Sequence, residues 1–551
     1  MTVNHQSPIF ELSDKYITEL ADLSPITATF LGVSSGDQQL DDFSLDGADA
    51  KLSLAQGALE ELTELNPQSE IDRVAKAVMQ ERLESRLTVA ASREEQIRWS
   101  VVWSPAMEIR QIFEIMPFET EEQINNITAR LNAVEDAMAS WVSCVRDLAA
   151  DGKVTSQRQT AGVALQLDTF ARGAYSGFAM RIDPDAKHTA LHEAGSRADV
   201  ASGNTAQWLK NEYAPHSSIE DAVGEERYAV WARNFSGAQL DLRATYEWGL
   251  EDLARINERM WDVATEIKPG AKSLREVADH LDADPRYLVK GAQNLIERLK
   301  LFTQAAVEQM DGAHFDIDDR IKFCDARLAP EGSAAAPYYQ SPSEDLTRPG
   351  TTWFPTLGKD EFSWWKMPSI WYHEAVPGHH LQIATATLER ERLSRFQRTL
   401  GNSSGYCEGW ALYAERLMDE LGAFDDPGVE MGYLSAQAMR AVRVVVDIGM
   451  HLGYQDPSGQ FWNARSAREL MVNQALLDEP FAASEIDRYL GMPGQAISYK
   501  VGERVWMRTR EEASNRLGAN FSLKKFHSHA LKLGPMGLDP LKVELSHWDG
   551  S

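Results

Sequence analysis

Between Ile124 and Leu148 apolar residues recur in alternating steps of three and four: Ile124, Ile127, Leu131, Val134, Met138, Trp141, Val145 and Leu148. A helix turns about 100° per residue, so this spacing draws one apolar stripe along one face. A strand would need period two. The pattern predicts a long helix, opened by a capping box of Thr120 with Gln123 and stopped at Asp151-Gly152. Helical spacing recurs near 50–66, 70–91, 244–267 and 288–311. Helices of this kind bury their stripes against one another, so the fold expected is mainly α.

The pattern changes between about 313 and 358, where Phe315-Asp316-Ile317, Lys322-Phe323-Cys324, Pro337-Tyr338-Tyr339 and Thr351-Thr352-Trp353-Phe354 are separated by Gly and Pro. A small sheet is predicted there, its last strand placed to flank a cleft and to pair with an extended peptide. A chain of 551 residues exceeds one ordinary core. Two lobes are expected, a helical one over 1–312 and one over 313–551 carrying the sheet and the functional site, joined as one unit.

Charge narrows the partners. A formal charge of −28 repels nucleic acid and anionic lipid, and no apolar run is long enough to span a bilayer. Peptides or small molecules remain. The start, Met1 to Pro8, has neither a basic nor an apolar leader region, and the three cysteines, Cys144, Cys324 and Cys407, form no disulfide framework or paired metal spacing. The expected compartment is the cytoplasm.

Chemistry concentrates in Trp371-Tyr372-His373-Glu374-Ala375-Val376-Pro377-Gly378-His379-His380-Leu381-Gln382, where three of thirteen histidines and an acid occupy eight residues. Neutral imidazoles bind zinc, and a carboxylate beside the first can take a proton from water the metal activates. This departs from HExxH, because Pro377 stands four residues after His373. On a straight helix His379 points away from His373, and His380 shares its face about 10.5 Å farther along the axis. Pro377 cannot bond the carbonyl of His373 and disfavours helical geometry at Val376, while Gly378 tolerates unusual dihedrals. A bulge there returns one later histidine to the metal; spacing alone leaves His379 and His380 both open.

These residues resemble the HEAxPGHHLQ hallmark of the bacterial domain-of-unknown-function family 885, and more remotely the gluzincin zinc peptidases, such as thimet oligopeptidase and Taq-type carboxypeptidase. Other segments carry the likeness: Leu23 to Thr29 with Leu31-Gly32, Arg348-Pro349-Gly350, Glu408 to Glu415, Arg443 to His451, Pro493 to Lys500, and Phe526-His527. The resemblance implies a two-lobed helical fold around a deep cleft with a small sheet beside it. It implies one zinc held by His373, His379 and Glu408, with Glu374 as general base and His380 left either to support a ligand or to contact substrate. Oxyanion donors in such peptidases come from later segments, where Tyr499 and His527 fall. Glu415, beside Arg416, reads as half of a surface ion pair.

The activity expected is cleavage of short peptides, as a carboxypeptidase or oligopeptidase, with Arg348, Arg443 and Lys500 as candidate partners for a substrate carboxylate. Two other readings stand beside it: a zinc amidohydrolase acting on acylated amino acids or other small amides, and a noncatalytic helical protein with a structural metal. Asp447 and His451, four apart, are read as a pair near the site or within the frame. His188 with His192, and His527 with His529, are not expected to bind metal together.

Overall fold

The computed structural model describes residues 7–33, 36–330 and 336–551. The start, Met1 to Gln6, on which the absence of a leader was read, lies outside them. Helices hold 69% of the structure, as the periodicity predicts. The stripe of Ile127 to Leu148 is buried, but on two helices, Glu121–Asn132 and Val134–Ala150. At Ala133 between them the amide bonds the carbonyls of both Ala129 and Arg130, at 3.2 and 3.1 Å, tightening one turn while the stripe continues. The capping box forms: the Gln123 amide donates to Thr120 Oγ1 at 3.2 Å and the Thr120 amide to Gln123 Oε1 at 3.0 Å. The other predicted helices run Leu45–Glu64, Glu70–Ala91, Leu242–Ile267 and Ala292–Met310. Ser44, Ser69 and Asp241 cap the first three by accepting from backbone amides that a helix start leaves unpaired.

The largest core draws on residues from Val74 to Trp548 and so runs through both sides of residue 312. At its centre lies the helix Pro427–Leu452, buried over most of its length, against Leu242–Ile267. A second core gathers residues from Ile26 to Tyr213. Among the described residues no helix is long and apolar enough to cross a membrane.

Among the described residues five strands form two small sheets: β1 (Leu288–Lys290), β2 (Cys324–Leu328), β3 (Tyr338–Gln340), β4 (Gly350–Phe354) and β5 (Glu361–Ser363). β4 lies between β2, parallel to it, and β3, antiparallel to it; β1 pairs with β5. The structure departs from the sequence reading in three ways. Phe315-Asp316-Ile317 forms no strand, only a bridge from Phe315 to Asp311, and of Lys322-Phe323-Cys324 only Cys324 enters β2. β4 is paired on both sides, so the edges of this sheet are β2 and β3. β1 and β5, three residues each, are too short to leave a period in the sequence.

Candidate metal centre

The helix Met367–Glu374 begins with Pro368 in its first turn and ends directly after Glu374. Ala375 leaves helical geometry at φ −102° and ψ −115°, and a new helix starts at His379. Two features hold the bulge between them. The Trp410 indole donates to the carbonyls of Pro377 and Gly378 at 2.9 and 3.2 Å, so the break leaves neither oxygen unpaired in the core. Any Cβ on Gly378 would stand 1.9 Å from the His373 carbonyl oxygen, which requires glycine there.

The bulge turns His379 back towards His373, their rings 4.7 Å apart and nearly perpendicular. Glu408, on the neighbouring helix Ser404–Glu420, places Oε2 3.2 Å from Nε2 of His373 and 3.5 Å from Nε2 of His379. One ligand atom from each of the three falls within 4.8 Å of the others, the only such group of three or more His, Cys, Asp or Glu among the described residues. Glu408 Oε2 and His379 Nδ1 are buried with no hydrogen-bond partner. A carboxylate oxygen aimed between two imidazoles without a bonding angle to either is what a metal ligand set looks like. Burial alone would lower the His373 imidazole; Glu408 and Glu415 overcome it and raise it to about 9.

Glu415 lies seven residues after Glu408, two turns along the same helix face. It is fully buried, so the surface pair expected with Arg416 does not form. Its Oε1 accepts from His373 Nδ1 at 2.8 Å, its Oε2 from Ser369 Oγ at 2.6 Å, and Arg440 Nη2 stands 3.5 Å away. When the His373 ring is neutral, Nδ1 donating to this carboxylate leaves the lone pair on Nε2, facing Glu408. Burial would raise the Glu415 carboxyl, but Arg440 and His373 hold it below its ordinary value.

These groups open onto a cavity of about 640 Å³. Glu374, His373, His379 and Glu408 form part of its wall, with Arg440, Arg443 and Tyr499 beside them. Among the described residues the Glu374 carboxylate has no hydrogen-bond or ion-pair partner, and burial pushes it above its ordinary value. The Tyr499 phenol is pushed up to about 12 by burial and by the charge of Glu408, so it keeps its proton. Arg443 stacks over the Tyr499 ring at 4.6 Å, held from behind by Glu485 at 2.8 Å and by the Tyr489 hydroxyl at 2.9 Å.

Four expected site residues stand apart from this wall. His380, expected to meet substrate, is buried with both nitrogens engaged: Nε2–H donates to the Ile321 carbonyl at 2.7 Å and Nδ1 accepts from the Tyr339 hydroxyl at 3.0 Å. It ties the bulge to the sheet instead. His527, expected as an oxyanion donor, is buried behind the Glu408 helix, donating from Nδ1 to the His314 carbonyl at 3.1 Å, accepting from Tyr413 at 2.6 Å and stacking on Phe315. Lys500 spends its charge on Glu503 at 2.6 Å and Asp252 at 3.1 Å. Arg348 is exposed on a turn, its amide bonded to Ser343.

Asp447 accepts from Tyr228 at 2.7 Å and the Gly494 amide at 2.9 Å, with His451 at 3.7 Å, a buried pair within the frame. His188 pairs with the exposed Glu121 and His192 with the buried Asp183, each at 3.2 Å. The sequence places Glu415 at the surface, where the structure buries it, and does not single out Arg440. Their signals were helical: Glu415 two turns from Glu408, Arg440 one turn from Arg443.

No match is found among curated proteins. The fold is shared with solved structures, of which two are described. One, described as a “putative lipoprotein” from Colwellia psychrerythraea, is 21% identical with a TM-score of 0.83 and 98% of each chain covered. The other, a “putative lipoprotein of unknown function” from Shewanella oneidensis, is 18% identical with a TM-score of 0.78, covering 98% of this chain and all of that one. The model of the family described as bacterial protein of unknown function (DUF885) matches residues 25–545, nearly the whole chain, and the protein belongs to that family.

Proposed function

We propose that this protein is a zinc-dependent hydrolase cleaving amide bonds of short peptides, as a carboxypeptidase or oligopeptidase, within a two-lobed gluzincin-like fold. The observation carrying this reading is the convergence of His373, His379 and Glu408 on the wall of a cavity, beside a carboxylate, Glu374, that has no partner. Three protein ligands suit a tetrahedral ion that keeps one position open, the mark of hydrolytic zinc sites as opposed to closed structural ones. Bound there, zinc would supply Lewis-acid polarisation of water and of the substrate carbonyl.

The chain's own groups do the rest. Glu374, kept basic enough by burial, takes the proton of the attacking water and passes it to the leaving nitrogen. Tyr499 donates its hydroxyl hydrogen where negative charge develops on the carbonyl oxygen. Glu415 fixes the His373 ring, and Trp410 with Gly378 fixes the turn that presents His379. Arg443 and Arg440, which share the cavity wall with Lys366, are planar cations that suit a substrate carboxylate; Arg348 and Lys500 lie elsewhere.

The test is metal analysis followed by digestion of peptides read by mass spectrometry. One zinc per chain and cleavage of short peptides are expected, strongly impaired by C-terminal amidation and weakly by N-acetylation. The reverse pattern would place the anchor at the amino end, and indifference to both would make the enzyme an endopeptidase. Cleavage confined to acylated amino acids would make it an amidohydrolase. Stoichiometric zinc with no cleavage of either set would make the metal structural.

A further inference from the structure

The cavity has two chemistries at once. From the helix Pro427–Leu452 it takes Gly432, Ser435, Ala436, Met439, Arg440 and Arg443, whose spacing of three, one, three, one and three puts them on one helix face. The later end of that face carries charge beside Glu415 and Tyr499. Its earlier end is small or apolar. Ile370 faces the cavity one turn before Glu374 on the metal-ligand helix, which places the apolar region directly beside the general base. Leu476, Leu477 and Phe481 complete this wall from the segment after the helix Ala464–Gln474, with the exposed Asp478 among them.

That segment is fixed in place. Ser435 Oγ donates to the Ala475 carbonyl at 2.8 Å, and Arg275 Nη2 donates to the carbonyls of Val472 and Leu477 at 2.9 and 2.8 Å. Leu476 is held at φ +59°, a left-handed conformation a branched side chain rarely adopts, while its side chain stays buried against the cavity. Met439, Leu477 and Phe481 are only half-buried. They present apolar surface to a space left open, and filling it with an apolar group removes that surface from water.

We propose that Ile370, Met439, Leu476, Leu477 and Phe481 form a subsite for a large apolar side chain on the residue next to the scissile amide. This assignment rests on the hydrolase reading for its position but not for its chemistry. The substrate class is therefore short peptides with Leu, Phe or a residue of similar bulk at the cleaved bond, in preference to small or charged ones. Pocket shape of this kind discriminates by about 10- to 200-fold per group lost.

Two measurements separate this proposal from the hydrolase reading. In the first, zinc-loaded protein is titrated calorimetrically with N-acetyl-phenylalaninamide and N-acetyl-alaninamide. The phenylalanine compound should bind at least about tenfold tighter, and Ala436→Phe, which fills the subsite from the helix, should erase that ratio while the melting temperature stays near wild type. Equal affinities in the wild type, or a ratio surviving Ala436→Phe, would overturn the subsite. In the second, a peptide panel varying only the residues flanking the bond is digested, and Phe481→Ala should lower the ratio of kcat/KM for Phe over Ala peptides about tenfold. A binding preference without cleavage of any peptide removes the hydrolase reading and keeps the subsite; cleavage indifferent to side-chain size does the opposite.

Discussion

Changing Glu415 to glutamine tests how the centre is organised without touching a ligand. The carboxylate accepts from His373 Nδ1 at 2.8 Å and from Ser369 at 2.6 Å, with Arg440 Nη2 at 3.5 Å, and is shielded from solvent. In Glu415→Gln the amide oxygen can still accept from Nδ1, so the tautomer presenting Nε2 to the metal survives. What is lost is charge: a bond to an ionised acceptor, about 1.5–3 kcal/mol, becomes a neutral one of about 0.5–1.5 kcal/mol. The difference, about 1 to 1.5 kcal/mol, corresponds to roughly tenfold weaker zinc binding, the lower end of the 10- to 100-fold range for orienting partners. Glu415→Ala removes the acceptor altogether and should approach hundredfold. It also strands Arg440 without its carboxylate, at about 3 kcal/mol or more of stability. Competition titration against a chelator gives the zinc Kd, and thermal melts of the metal-free proteins separate affinity from stability. Glu415→Gln binding zinc like the wild type would refute the orienting role, and binding as poorly as His373→Ala would make Glu415 a ligand.

Further outcomes follow from the same geometry. Alanine at His373, His379 or Glu408 should abolish stoichiometric zinc, whereas His380→Ala should keep it and lose stability through its bonds to Ile321 and Tyr339; metal loss in His380→Ala alone would shift the register of the bulge. Glu374→Gln should hold zinc and lower turnover by about 10² to 10⁴, and wild-type turnover in the metal-replete variant would remove it as the base. Tyr499→Phe should lower kcat about 10²-fold with little change in Tm, while a Phe at Tyr413, which bonds the buried His527, should lower Tm; equal losses of stability and activity in Tyr499→Phe would make that residue structural.

Burial raises Asp447 from 3.8 to about 7, so between those values the folded state holds a proton the unfolded state has released. That group's contribution to stability therefore declines as pH rises from about 4 to 7. Asp447→Asn keeps an acceptor for Tyr228 and should gain stability relative to wild type across that window; a difference flat in pH would contradict the assignment.

How much the sequence determined by itself divides along the range of the interactions. Helix positions, caps and buried stripes came through because a period of 3.6 and a capping side chain act within a few residues; the Thr120–Gln123 box and the Ile127–Leu148 stripe are examples. The identity of His373, Glu374 and Glu408 as a chemical group came from residue type and spacing together with family resemblance. Spacing leaves open which later histidine returns; the resemblance implies His379, and tertiary packing is what turns it back. His379 faces Glu408 because Trp410, from another helix, pins the carbonyls of the bulge, and His380 is drawn off by Ile321 and Tyr339. Tertiary packing also decided that Lys500 and His527 are committed to interior partners, since Asp252 and His314 lie hundreds of residues away in sequence. Polar side chains of one type are alike in sequence; their free valences are settled only by which distant groups reach them in the packed core.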